Sequence, residues 1–334
     1  MHFVFLNQFY PPDVLPTGVM LEAVAEALAA RGHEVTVVSG RVSVVRTKVV
    51  GQGAHAPPRV PPGARAGEQP FSPHPTLQVV RLWAPGWGKR KSTVCKVLSY
   101  AAYSFGVASW LLRRRSRADV IVALTSPPYL SLLARAGARW HGGHHAHWVM
   151  DLYPDVMVAH GMMVERGLGH RLLGGLARWG MGGPRCRRVI TLGPDMAERL
   201  NAWLPAHKPS VWVPLWGTAG GPPAPRNVTA LRQQRGWSPE TTVFLYSGNM
   251  GLGHRFHEVL EAMPVLAAAH PEQNIHLAYF GGGKRLNLAA SLAAQGLRTL
   301  LIDADLRRPA LSATLLEADI RKGENLPSGG LIPR

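Results

Sequence analysis

Apolar and polar positions change their period twice within the first forty residues. Residues 2–8 are a short, largely apolar run, which predicts a buried strand. Beyond the loop Tyr10-Pro11-Pro12-Asp13-Val14-Leu15-Pro16-Thr17-Gly18, the residues Leu21, Val24, Ala25 and Leu28 recur at helical spacing. They predict a helix over 19–31, closed by Gly32. The run Glu34-Val35-Thr36-Val37-Val38 predicts a second strand. Strand, helix and strand in that order form a βαβ unit, whose right-handed crossover requires a parallel sheet.

The same alternation continues downstream. Strands are expected at 77–83, 120–124, 146–150, 188–191 and 211–213. Helices are expected at 94–112, from Ser126-Pro127-Pro128 to Arg139, at 169–180 and at 195–204. Residues 41–76 are rich in Gly and Pro, nearly free of acids and without a sustained period, and they read as a mobile loop. Gly217 to Pro225 reads as a linker, after which the pattern restarts with the strand Val243-Phe244-Leu245-Tyr246. The expected class is α/β with two Rossmann-like domains, over 1–216 and 231–334, joined by a linker at 217–230.

Composition agrees with two domains, because 334 residues at 46% hydrophobic content exceed what one core usually holds. A formal charge of +17 attracts polyanions. The excess is largely Arg in short clusters, Arg113-Arg114-Arg115 and Arg185, Arg187 and Arg188, without any finger, homeodomain or RNP signature, so nucleic acid is set aside as a partner. Cys95 and Cys186 lie far apart, which points to no disulfide framework or zinc site and fits a reducing cytosol. The apolar run at the amino terminus is too short, and too soon followed by Pro11-Pro12, for a signal peptide.

Candidate chemistry falls on loops after strands, where helix amino termini present free N–H groups. Thr17 and Gly18 form one such loop, read either as a place of close ligand approach or as a tight turn. The run Gly248-Asn249-Met250-Gly251-Leu252-Gly253, followed by His254 and Arg255, forms another. It could cradle a diphosphate with Lys284 after the next strand, or simply pack a helix on the sheet. Asp151 and Asp155 follow a strand end; a carboxylate there can bind sugar hydroxyls, and Asp155 can equally cap a helix. His147 reads as a core histidine, and His141, His144, His145 and His147 lack acidic or Cys partners at ligand spacing, so no metal site is assigned. The nearly uncharged helix 94–112, closed by three arginines, suits either anionic lipid contact or core packing; its serines argue against a membrane span.

Taken in order, Asn7-Gln8-Phe9-Tyr10-Pro11-Pro12, Pro16-Thr17-Gly18, Thr125-Ser126-Pro127-Pro128, His147-Trp148-Val149-Met150-Asp151-Leu152-Tyr153-Pro154-Asp155 and Tyr246-Ser247-Gly248-Asn249-Met250-Gly251 resemble the family 4 glycosyltransferases of the GT-B fold, notably those building bacterial exopolysaccharide, capsule and O-antigen. The resemblance covers residues 1–284. It implies retaining transfer of a sugar, of hexosyltransferase type, from a nucleotide-sugar substrate, with no metal and no cofactor. The acceptor would be a lipid-linked saccharide at the cytoplasmic face of the plasma membrane, with the enzyme held there peripherally.

The resemblance also assigns roles. Donor diphosphate lies on the second domain, at Gly248, Asn249, Gly251, Gly253, His254, Arg255 and Lys284. The acceptor lies on the first, with Gly18 in the cleft beside Thr17 and Asp155, and Asp151 as the catalytic or substrate-orienting group. Relatives carry Arg and Lys where this chain has Asn249 and about His254, which leaves diphosphate neutralisation to Arg255 or Lys284. After Lys284 the family's acidic ribose-binding motif is missing, so the second domain reads as incomplete and weak turnover is expected. Residues from about 285, including Leu300-Leu301-Ile302-Asp303-Ala304-Asp305, instead resemble bacterial polysaccharide tyrosine kinases, although Gly283-Lys284-Arg285 completes no P-loop. This implies an alternative, an ATP-binding regulatory fragment, beside a third reading as a non-catalytic remnant.

Overall fold

The computed structural model describes residues 1–13, 15–41, 74–84, 93–114, 117–206, 208–216, 228–247, 256–281 and 299–303. The chain divides into two compact units, Met1–Gly220 and Gly221–Arg334. Most of the stretch read as a mobile loop, 42–73, lies outside the described residues.

Seven strands build the sheet of the first unit: β1 (His2–Leu6), β2 (Glu34–Gly40), β3 (Leu77–Leu82), β4 (Val120–Ala123), β5 (His144–Trp148), β6 (Cys186–Thr191) and β7 (Val211–Trp212). All pairs are parallel, in the order β3-β2-β1-β4-β5-β6-β7. The helices are α1 (Pro16–Ala30), α2 (Thr93–Arg113), α3 (Leu130–His141), α4 (Asp155–Ala159), α5 (Leu168–Met181) and α6 (Pro194–Asn201).

Because the order runs outward from β1 in both directions, right-handed crossovers send α1 to one face and α2, α3 and α5 to the other. The period-2 alternation of β1 shows both faces filled. Phe3 and Phe5 pack with Leu21, Ala25 and Ala29 of α1, whereas Val4 and Leu6 pack with Tyr103, Val107 and Leu111 of α2 and with Leu130 and Ala134 of α3. The Tyr103 hydroxyl is fully buried and donates to the Val38 carbonyl at 2.7 Å, which fixes α2 to β2.

Helix α1 begins three residues before the sequence pattern suggests. Pro16 stands in its first turn, where a fixed φ favours helix and the missing N–H costs nothing. Thr17 and Gly18 are therefore helical residues and not part of the preceding loop. A short helix, α4, follows the motif through Asp155.

Among the described residues, the second unit holds three parallel strands in the order β10-β9-β8: β8 (Thr242–Ser247), β9 (Ile275–Gly281) and β10 (Thr299–Asp303). It also holds the helices α7 (Val228–Gln234) and α8 (Phe256–Ala269).

Candidate functional site

Strand order reverses between β1 and β4, and in sheets of this kind the crevice opens beyond the strand ends at that point. The two loops there are bound together: Leu124 N–H donates to the Leu6 carbonyl at 3.0 Å, and Gln8 N–H to the Ser126 carbonyl at 2.7 Å. Asn7 and Gln8 are buried. Asn7 Nδ2 donates to the Phe9 carbonyl at 2.6 Å, and Gln8 Nε2 donates to Ser99 Oγ at 3.0 Å. Their amide oxygens, Asn7 Oδ1 and Gln8 Oε1, are buried without a hydrogen-bond partner among the described residues. A buried acceptor left so costs about 1–3 kcal/mol, and such costs gather at functional sites.

Asp151 stands three residues beyond β5, its N–H donating to Thr125 Oγ1 at 3.3 Å. The residue reaches solvent, yet enough protein crowds its carboxyl that desolvation raises the pKa above the ordinary range, while the Lys96 ammonium pulls it back. Burial, aided by Asp151 and then Tyr100, pushes the Tyr153 hydroxyl up to about 12. Burial and Asp151 raise Tyr100 as well, and Lys96 Nζ lies 5.6 Å from the centre of the Tyr100 ring. The cluster thus sets the Asp151 carboxyl among two phenols whose pKa values burial raises, with the Lys96 side chain beside them. It can accept a hydrogen bond from a sugar hydroxyl and donate others to sugar oxygens.

A cavity of about 20 Å³, room for one water, lies among Thr125, Tyr129, His147, Asp151 and Tyr153. Tyr129 begins α3 at φ 67°, a left-handed backbone that is unusual for a bulky side chain. His147 Nδ1 donates to the Ala123 carbonyl at 2.8 Å. Burial lowers the His147 pKa to about 4, and burial with the Arg135 charge does the same for His145, so both rings are neutral at pH 7.

This sets a pH dependence. Between about pH 6.5 and 4 the unfolded chain binds protons that the folded chain does not, so stability falls as pH drops through that window. His147 alone contributes on the order of 3 kcal/mol over the whole window. Urea midpoints measured at about pH 7 and about pH 5 should therefore diverge, and less so in His147→Gln. Equal divergence in both proteins would show that the buried ring is not the cause.

The other expected residues fall as follows. Gly18 is buried, and a β-carbon there would meet the Phe9 carbonyl oxygen at 3.1 Å and Tyr10 Cα at 3.2 Å. That approach of α1 to the loop after β1 accounts for glycine at this position. Thr17 Oγ1 accepts from Asn7 Nδ2 at 3.5 Å. Asp155 opens α4 without capping it, since Pro154 holds the cap position. Its carboxylate pairs with Arg199 of α6, which also reaches Glu165 at 3.9 Å. The structure therefore puts Thr17 and Gly18 against the β1 loop, Asp151 beyond β5 and Asp155 in an ion pair. Gly248, Asn249, Gly251, Gly253, His254 and Arg255 fall between β8 and α8, and Lys284 falls after β9; all lie outside the described residues. Among the described residues, no group of three or more His, Cys, Asp or Glu could hold a metal ion.

Sequence reasoning missed Lys96, Tyr100 and Tyr153 as neighbours of Asp151. Tyr153 stood within a quoted motif. Lys96, the one interruption of a nearly uncharged helix, was the available signal for α2.

Residues 17–216 match the family model described as a glycosyl transferase 4-like domain. No curated protein matches the chain. Among solved structures, the chain is similar to the catalytic domain of starch synthase IV from Arabidopsis thaliana bound to ADP and acarbose, with a TM-score of 0.54 at 12% identity, covering 94% of this chain and 76% of that one. Sucrose-phosphate synthase from Thermosynechococcus elongatus gives 0.53 at 13% identity, over 91% of this chain and 70% of that one. HepE from Anabaena, in complex with UDP, gives 0.50 at 14% identity, over 94% and 72%. Likeness at such identities speaks for the fold alone, two Rossmann-like units of the GT-B class.

Proposed function

We propose, from the premise that this chain belongs to the glycosyl transferase 4-like family, that it moves a sugar from a nucleotide-sugar donor to a saccharide acceptor with retention at the anomeric carbon. The observation that carries this reading is Asp151, a carboxyl with a raised pKa beside Tyr100, Tyr153 and Lys96, just beyond a central strand. In the transfer, the bond from the anomeric carbon to the phosphate oxygen breaks. A bond to the acceptor oxygen forms on the same face, and the proton of the acceptor hydroxyl passes to the departing phosphate oxygen. Asp151 orients that hydroxyl by accepting its hydrogen bond.

Negative charge grows on the departing diphosphate, so fixed N–H groups and cations there are the main lever on rate. Gly248, Asn249, Gly251 and Gly253 would supply the amides, and His254, Arg255 and Lys284 the charge. UDP and ADP in the solved structures of HepE and starch synthase IV support a nucleoside diphosphate as the group bound. Thr17, Gly18 and Asp155 remain the proposed acceptor-side residues. The acceptor fitting the motifs is a lipid-linked saccharide of surface polysaccharide synthesis, met by a peripheral enzyme at the cytoplasmic face of the membrane. The transferred group would be a hexosyl unit.

Thermal unfolding with nucleotides tests the reading. UDP or ADP at about 100 times its dissociation constant should stabilise the chain by about 2.7 kcal/mol. Protection by ATP with magnesium, and by no sugar nucleotide or its diphosphate, would replace it with the kinase-like reading of residues from about 285. Protection by none of them would favour a non-catalytic remnant.

A further inference from the structure

Tyr129 is held in a backbone conformation that disfavours it. Its φ of 67° lies in the left-handed region, which a bulky side chain enters only where its surroundings hold it there, and such positions gather at binding and catalytic sites. The ring packs on the buried cluster that holds Val149, Leu152, Ala177 and Met181, and its centre lies 6.5 Å from that of Tyr153. A phenylalanine would fill that place equally well. The hydroxyl is the part that the fold does not use: it makes no cap bond to α3, and its oxygen is buried without a hydrogen-bond partner among the described residues. Burial, aided by Tyr153, pushes the phenol up to about 12, so the hydroxyl keeps its proton and stays a donor.

Tyr129 lines the small cavity beside Asp151, and His147 lines it too. A carbonyl can only accept, so the bond of 2.8 Å from His147 Nδ1 to the Ala123 carbonyl places the N–H of the neutral ring on Nδ1. Nε2 is then an acceptor. Thr125 Oγ1, in the same wall, already accepts from the Asp151 N–H at 3.3 Å, while Leu152, Ala177 and Met181 offer only apolar surface. The cavity thus has one donor and one acceptor that the fold leaves over. A single hydroxyl group needs that pair, because it both receives and gives a hydrogen bond. About 20 Å³ is room for one oxygen.

We infer that Tyr129 and His147 form a subsite for one hydroxyl of the acceptor sugar, with Tyr129 Oη donating to the sugar oxygen and His147 Nε2 accepting from it. The pair acts on specificity. A sugar without a hydroxyl at that ring position leaves a buried donor and acceptor unmatched, and a site built to hydrogen-bond a hydroxyl discriminates strongly against the analogue that lacks it. The inference rests on the transferase reading only for the identity of the ligand as a saccharide. A fixed water would satisfy the same two groups, and the experiment separates it from a sugar.

Dissociation constants of the full chain for the methyl α-glycosides of glucose, galactose and mannose, and for their monodeoxy analogues, are read by saturation-transfer NMR titration. At least one parent glycoside should bind, and the analogue lacking one particular hydroxyl should bind about tenfold more weakly. In Tyr129→Phe the parent should weaken by about tenfold and that analogue should not, so that the two bind alike. Without ligand, the thermal midpoint of Tyr129→Phe should stay level or rise, since the change removes an unpaired buried hydroxyl. His147→Leu should lose the same preference and His147→Gln, which keeps an acceptor, should retain it; circular dichroism checks both folds, and Tyr129→Phe decides alone if the leucine variant does not fold. A lower midpoint in Tyr129→Phe with the preference intact would assign the two groups to a structural water and overturn the inference. An intact preference in either Tyr129→Phe or folded His147→Leu, or no binding of any of the glycosides, would overturn it as well. UDP protection of the unchanged protein in thermal unfolding is followed separately: its absence would remove the transferase reading and leave the subsite to be judged on the glycosides.

Discussion

Gly143→Ala is expected to be the most damaging glycine-to-alanine change among the described residues of the first unit. A β-carbon at this position would stand 2.1 Å from the Ala118 carbonyl oxygen and 2.8 Å from that of Asp119. Both atoms are backbone at the entry to β4, so no side chain can swing aside. The adjacent bond from His144 N–H to the Asp119 carbonyl, at 2.8 Å, would have to stretch or break, and Arg185 holds the other side through the Gly142 and Gly143 carbonyls at 3.0 and 3.1 Å. Overpacking of this kind costs about 3 kcal/mol or more, a fall of roughly 6–12 °C in thermal midpoint for a unit of this size. Gly142→Ala makes the internal comparison. Its φ is +75° and nothing lies within 4 Å, so only backbone strain of about 1 kcal/mol applies. If calorimetry finds Gly142→Ala the worse of the two, the close approach at Gly143 is not what holds β4 to β5.

Asp151→Asn should lower the turnover of sugar transfer by about 10²-fold or more while leaving the thermal midpoint nearly unchanged. The amide keeps the size of the side chain and removes the charge that Tyr100, Tyr153 and Lys96 surround. The sign of the pH effect follows from the raised pKa. A group that works as a carboxylate is lost on protonation, so the acidic limb of kcat/KM should lie above the range of an ordinary aspartate. Lys96 opposes that rise, so Lys96→Met should move the limb to still higher pH. Nucleoside diphosphate release from sugar nucleotides, followed across pH, reads both effects. Transfer by Asp151→Asn within about threefold of the unchanged protein would remove Asp151 from the chemistry.

Periodicity made β1, β2 and β4 legible because they are buried on both faces and read as apolar runs, whereas β5, with His144, His145 and His147, begins two residues before the expected strand at 146–150. Their order in the sheet follows from the crossover rule, once each strand is seen to alternate with a helix. The start of α1 was misread because Pro16 looks like a loop residue until it is recognised as the first helical position. Asp151 could be found from its position after a strand, but the groups that tune it come from α2, some fifty residues earlier in the chain. Asp155 looked like a cap or a sugar ligand because nothing local announces Arg199, which reaches it from 44 residues away.

Helix α2 is 21 residues long, a continuous rod of about 32 Å. Lys96 and Tyr100 near its beginning border the Asp151 carboxyl, whereas Phe105 and Leu112 farther along lie on its outer side. Between them, Tyr103, Val107 and Leu111 are buried against the sheet, and the Tyr103 hydroxyl is bonded to the Val38 carbonyl. The placement of the ammonium and the phenol at its head is thus set by apolar contacts made farther along the same rod.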